Sequence, residues 1–243
     1  MLSKIYFIVK KSCYPISLHR NLKANVLEVR NLSYLKKAMG WVNNPILEGG
    51  YLHDFQYLED LNGRRLRDAE VIGSACCNGD PKILLEIGTS HGKTTALMAQ
   101  NAPDGIVYTV NIPPEEITEG GKNVSFAPSR EEIGRYYREK GVTNIRQIFA
   151  NTKNWEPEFG PIDVAFIDGC HDADFVCNDT NKILRQCRSG SIIIWHDFAP
   201  KLANVYKWIG AVCRGVEQLY VEGLIYGRIF HLQDSWTGIY IVP

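Results

Sequence analysis

Residues 82–95 read KILLEIGTSHGKTT, and the fold turns on how this stretch is read. The run 82–88 is short and almost continuously apolar, the pattern of a strand covered on both faces in a parallel sheet. Gly88 and Gly92 then allow a sharp turn and a close backbone approach. A helix is predicted from about Gly92 to Asn101, and its first turn offers unpaired N–H groups and a positive dipole end to a ligand. A dinucleotide fingerprint would need G-x-G-x-x-G, whereas this segment has G-x-x-x-G behind Glu86. A tight strand-to-helix turn without any ligand is the plain alternative.

Outward from this unit the same rhythm repeats. Upstream, Leu58 to Cys77 carries apolar residues at helical spacing, ended by Asn78-Gly79-Asp80. Downstream, strands are predicted at 106–112, 144–150, 162–168 and 191–197. Between them lie a loop at 113–128, long enough for a lid or substrate contact, and a helix that Ser129 and Glu132 open as a capping box and that stops near Gly141. A second helix is predicted from His171 to Arg188, with Asp172 and Asp174 in its first turn and Arg185 and Arg188 in its last. A further helix at 202–219 and an antiparallel closing pair, LIYGRIFHL and WTGIYIVP, complete the chain. Alternating strands and helices predict an α/β, doubly wound, mostly parallel sheet. Ligands then bind beyond the carboxyl ends of the strands, where Glu86, Asn111, Asp168 and Asp197 fall.

Composition narrows the partners. Lys plus Arg and Asp plus Glu both number 27, so no net charge draws the chain to nucleic acid or an anionic membrane. With 243 residues and 45% hydrophobic content the expected organisation is one domain at 58–243 behind an N-terminal extension at 1–57 of unassigned function. The start, MLSKIYFIVKKSC, is read as a strand or docking arm, because its apolar run is too short for a secretory signal or a membrane span. Seven cysteines without a C-x-x-C pair point to reduced thiols and a cytoplasmic location. Monomer and homo-oligomer both stay open.

At LLEIGTSHG, followed in order by VYTVNIPPEE, NIRQIFANT, VAFIDGCHDADFVCNDTNKIL and GSIIIWHDF, the chain resembles the class I S-adenosylmethionine-dependent methyltransferases, in their small-molecule O-methyltransferase-like branch. The resemblance implies a seven-stranded sheet with an antiparallel last strand. It implies that Glu86, Gly88, Thr89, Ser90 and Gly92 hold the methionine and ribose of S-adenosylmethionine. Asn111 stands where the family has a ribose-binding acid, Asn151 and Thr152 stand near the adenine, and Asp168 borders the cofactor.

Methyl transfer from a sulfonium needs an in-line acceptor and somewhere for its proton to go. His171 is the candidate base beside Asp168, and Asp168, His196 and Asp197 are candidate ligands for Mg²⁺ or another divalent cation that lowers a hydroxyl pKa. In catechol-type relatives an Asn follows the second carboxylate; here it is Phe198. The acceptor implied by the resemblance is a small hydroxylated molecule such as a sugar. Other readings stand beside these: Asp168 as a helix N-cap, His196 as a core histidine, Trp155 and Trp236 as packing, a catalytically silent binding module, or a nucleotide-sugar or dinucleotide enzyme.

Overall fold

A computed structural model describes residues 20–47, 63–119 and 128–243. The expected arm at 1–13, the first residues of the helix expected from Leu58 and the middle of the loop at 113–128 lie outside the described residues. The elements run α1 (Arg20–Asn25), β1 (Val26–Val29), α2 (Leu32–Met39), α3 (Arg64–Cys77), β2 (Ile83–Ile87), α4 (Lys93–Asn101), β3 (Ile106–Asn111), α5 (Arg135–Glu139), β4 (Ile145–Phe149), β5 (Ile162–Ile167), α6 (Ala173–Leu184), β6 (Cys187–Trp195), α7 (Lys207–Val221), β7 (Ile229–Leu232) and β8 (Gly238–Ile241).

They form one sheet in the order β1-β7-β8-β6-β5-β2-β3-β4. β8 alone runs antiparallel, wedged between β6 and β7. The seven expected strands are β2–β8. The sheet nonetheless has eight, because Val26–Val29 adds a parallel edge to β7.

Strand side chains alternate between two cores, as a doubly wound sheet requires. Leu85, Ile87, Ala165, Ile167, Ile193 and Trp195 pack with residues of α1, α6 and α7. Leu84, Val164, Phe166, Ile192 and Ile194 pack with α2, α3 and α4. The same alternation sends Glu86 and His196 toward the α3–α4 face.

Two sequence expectations shift. The helix expected to run to Arg188 ends at Leu184; Arg188 already lies in β6, after a tight turn in which Gln186 N donates to Ile183 O at 2.8 Å. The Ser129–Glu132 capping box forms, with Glu132 Oε2 accepting from Ser129 N at 3.0 Å. The helix behind it is only α5, because Gly134 adopts φ 71° and donates its N–H to Ser90 O at 2.9 Å. Within 20–25, Glu217 of α7 accepts from Asn21 N, Asn21 Nδ2 and Leu22 N, each at 2.9 Å, and so caps α1 from across the fold. Among the described residues no helix is long and apolar enough to cross a membrane.

Candidate active site

The carboxyl ends of β2, β3, β4 and β5 open onto one cavity. Its polar wall is Gly88, Ser90, Asn111, Asn151, Thr152, Asp168 and His171, and Ile87, Val110, Ile112 and Phe175 supply apolar surface. Seven of the residues expected at a site therefore meet there. Asn111 closes the β2–β3 side: its Oδ1 accepts from Ser90 N at 3.0 Å and its Nδ2 donates to Ile112 O at 2.9 Å. Ser90 takes φ 48° to make this contact, an uncommon backbone for a residue with a side chain.

Glu86, Thr89 and Gly92 stand behind the wall instead of lining it. Glu86 is fully buried, and its Oε2 accepts from the Thr95 and Thr109 hydroxyls, both at 2.5 Å. Thr89 Oγ1 lies 2.7 Å from Thr109 Oγ1 and accepts from Gln147 Nε2 at 3.0 Å, which extends the chain to β4. Burial pushes the Glu86 carboxyl up to about 8 against the pull of the two threonines. The glycines answer to protein contacts: a Cβ on Gly88 would lie 2.1 Å from Asp168 O, and one on Gly92 would lie 2.5 Å from Tyr137 Cδ1. Gly88 is required by the close approach of the two loops whatever the ligand.

At the β5–β6 end a charged cluster adjoins the cavity. His171 Nε2 lies 3.1 Å from Asp197 Oδ2 and 3.5 Å from Asp168 Oδ1. His196 Nδ1 lies 3.2 Å from Asp168 Oδ1 and 3.6 Å from Asp197 Oδ2. Asp197 sits at φ 51° and accepts from Trp208 Nε1 at 3.2 Å. Burial alone would raise Asp168, yet the two histidines outweigh it and hold the carboxyl well below its usual range. Burial likewise disfavours both imidazoliums, and the carboxylates reverse it, raising His171 and raising His196 strongly.

Ligand-type atoms of Asp168, His171 and Asp197 lie within 4.8 Å of one another. Two carboxylate oxygens and an imidazole nitrogen suit a divalent cation. The histidine of that set is His171, the expected base. His196 flanks the same carboxylates from the α3 side. Phe198 contributes nothing polar: it is fully buried, with Gly238 packed on its ring. Asp168 does not cap α6, whose N-cap is Asp172.

One member of the cluster carries no sequence motif. Asp68 of α3 is buried, accepts from Trp236 N at 2.7 Å, and places Oδ2 3.6 Å from His196 Nε2. Beside it Tyr206, Trp208 and Trp236 form an aromatic group, with ring centroids 4.9 Å apart for Tyr206–Trp208 and 6.1 Å for Tyr206–Trp236. Arg64 lies over the Trp236 ring at 4.8 Å. Trp155 packs against the α6–α7 core as expected.

The sheet order, the single antiparallel strand and a cavity over β2–β5 define a Rossmann-like methyltransferase fold. Residues 85–198 match the family model described as a methyltransferase domain. Solved structures agree on the fold. The O-methyltransferase NovP aligns with TM-score 0.55 at 17% identity over 72% of this chain and 78% of its own. The S-adenosylhomocysteine-bound methyltransferase PaMTH1 of Podospora anserina aligns with TM-score 0.55 at 18% identity over 95% and 97%. Cofactor-bound Rv0187 from MTB aligns with TM-score 0.50 at 19% identity over 86% of each chain. A search of curated proteins finds no significant match. Residues 85–198 thus match a methyltransferase domain, and the fold around them is the Rossmann-like one of these solved methyltransferases.

Proposed function

We propose that the protein transfers the methyl group of S-adenosylmethionine to a hydroxyl oxygen of a small acceptor. The observation that carries this reading is the position of His171. It lines the cavity and also touches Asp197 and Asp168. In this reading the donor spans the cavity. Ser90 and Asn111 bind its ribose and methionine part, and Asn151 and Thr152 border its adenine. The mixture of polar and apolar residues in the wall fits such a molecule.

The acceptor hydroxyl lies at the Asp168–His171–Asp197 end and loses its proton to His171. A carboxylate within reach of one ring nitrogen orients the imidazole and stabilises the cation it becomes. Asp168, His171 and Asp197 would hold a divalent cation such as Mg²⁺, with His196 beside them. When bound, the ion would lower the pKa of the acceptor hydroxyl. His171 cannot offer Nε2 to a metal and remain an unencumbered base, so the two roles compete for one side chain. Tyr206, Trp208 and Trp236 support an acceptor with a flat or C–H-rich face, a ring or a sugar. The six described cysteines are free thiols, in keeping with a cytoplasmic enzyme.

The test is labelled-methyl transfer from S-adenosylmethionine to a panel of hydroxylated acceptors, run with and without exhaustive chelation, beside calorimetric titration of S-adenosylhomocysteine. Transfer to oxygen that is lost on His171→Ala is expected. Absence of S-adenosylhomocysteine binding at millimolar concentration would overturn the reading in favour of a silent binding module. Full activity after chelation would assign His171 to proton transfer alone.

A further inference from the structure

Arg64 opens α3 one helical turn before Asp68, so the two side chains leave the same face of the helix. Asp68 reaches into the charged cluster: its Oδ2 lies 3.6 Å from His196 Nε2, and its Oδ1 accepts from Trp236 N at 2.7 Å. Arg64 stands beside the same site, its guanidinium 4.8 Å over the Trp236 ring. From there the aromatic group leads back to the acids. The Tyr206 ring centroid lies 6.1 Å from that of Trp236 and 4.9 Å from that of Trp208, and Trp208 Nε1 donates to Asp197 Oδ1 at 3.2 Å. Arg64 and the three aromatic residues are all partly exposed.

This aromatic ledge has two chemically different ends. At one, Asp197 adjoins Asp168 and His171. At the other, Arg64 supplies a cation, and the rings between them offer a face to a flat or C–H-rich molecule. The contacts Arg64 makes within the protein are loose. Its Nη2 lies 3.3 Å from Asp234 Oδ1 and its Nη1 lies 3.4 Å from Ser235 O, both longer than the roughly 2.7–2.9 Å of a close charge-assisted bond. The Asp234 side chain is 40% exposed, so water screens the pair. A guanidinium is a planar fork that a carboxylate or phosphate meets with two oxygens at once, which exchanges one long contact for two short ones.

We propose that the acceptor is an anionic hydroxylated ring: its face rests on Tyr206, Trp208 and Trp236, its carboxylate or phosphate pairs with Arg64, and its reacting hydroxyl lies at the Asp197 end. This rests on the proposed transfer to a hydroxyl and adds the charge the acceptor carries. In this pose the anion is held away from Asp168 and Asp197, which would repel it. A neutral analogue gains the ledge but leaves Arg64 to its loose contacts.

The experiment is calorimetric binding to the protein saturated with S-adenosylhomocysteine, with no turnover required, using matched pairs: 3,4-dihydroxybenzoate and its amide, glucuronate and its amide, glucose 6-phosphate and glucose. The first two pairs test a carboxylate and the third a phosphate. In at least one pair the anionic member is expected to bind about tenfold or more tightly than its neutral partner, the size of a charge-assisted hydrogen bond. Arg64→Gln should lose that preference, and Arg64→Lys, which keeps the charge but not the fork, should lose part of it. If Arg64 only braces Trp236, Arg64→Gln weakens both members of a pair alike and their ratio stands, which overturns the proposal. A wild type that takes no anionic member more tightly than its neutral partner overturns it too. Should Arg64→Gln fail to fold, an unchanged ratio in Arg64→Lys overturns it equally. A wild type that does not bind S-adenosylhomocysteine overturns the methyl-donor reading, and this proposal with it.

Discussion

His171 Nε2 lies 3.1 Å from Asp197 Oδ2, and Asp197 is itself tethered through Oδ1 to Trp208 Nε1. The contact joins the cavity-lining loop after β5 to the turn after β6, and it fixes the sign of a pH dependence. Asp168 and Asp197 raise the His171 pKa. A base must be neutral to accept a proton, so transfer should rise with pH through a midpoint above the ordinary histidine value of about 6.5. Asp197→Asn removes one of the raising charges and should move that midpoint to lower pH, while His171→Ala should reduce turnover by about 10² or more. Rate profiles from pH 5 to 9 check both, and a midpoint unmoved in Asp197→Asn would detach the carboxylate from the base.

Glu86 gives a second pH dependence, read in stability. Its folded carboxyl stands at about 8, above the 4.5 of the unfolded chain, because burial disfavours the charge. The stability it contributes is fully present below pH 4.5 and is lost progressively as pH rises to about 8. Wild type should therefore melt lower at pH 8 than at pH 5. Glu86→Gln, neutral at both, should flatten that difference. Calorimetric melting across the interval decides it.

Asn111→Asp should separate ribose binding from loop support. A carboxylate keeps the Ser90 N–H contact but faces Ile112 O where the amide now donates. The ligand-free protein should lose about 1 kcal/mol from the lost hydrogen bond. S-adenosylhomocysteine should bind more tightly, because a carboxylate accepts from both ribose hydroxyls. Melting temperature and calorimetry should thus move in opposite directions.

Glu217→Ala strips the cap from α1 and leaves the Asn21 and Leu22 N–H groups without their acceptor. Loss of about 3 kcal/mol is expected for hydrogen bonds to a buried charged group. Tryptic cleavage at Arg20 or Lys23 should accelerate well before the core melts.

The central strands were legible because a strand covered on both faces is a nearly continuous apolar run, as 83–87 and 162–167 are but for Glu86 and Asp163. The edge strand at Val26–Val29 was not, since VLEV is only four residues, carries a charge and is meaningful only once β7 is beside it. The cavity residues after β2 to β5 followed from the rule that ligands gather at the carboxyl edge. Glu86 and Gly92 show its limit: their spacing marks the turn, while their contacts serve the wall behind the cavity. Asp68 had no local signal at all, being one acid in an amphipathic helix whose partner, His196, becomes its neighbour only through folding.

The placement of β8 between β6 and β7 also governs when the protein can exist during synthesis. β1 hydrogen-bonds to β7, β7 reaches the rest of the sheet through β8, and β8 is the last of the described strands. The β1 segment is made long before β8, yet it finds its partner only when β7 has emerged, and the β1–β7 pair joins the sheet only when residues 238–241 follow. A nascent chain halted before that point can assemble β2–β6 and the cavity at their carboxyl ends, but not the edge to which β1 belongs. Such a stalled intermediate would expose β6 to any other strand nearby, which makes it a natural client for chaperones that shield unpaired edges.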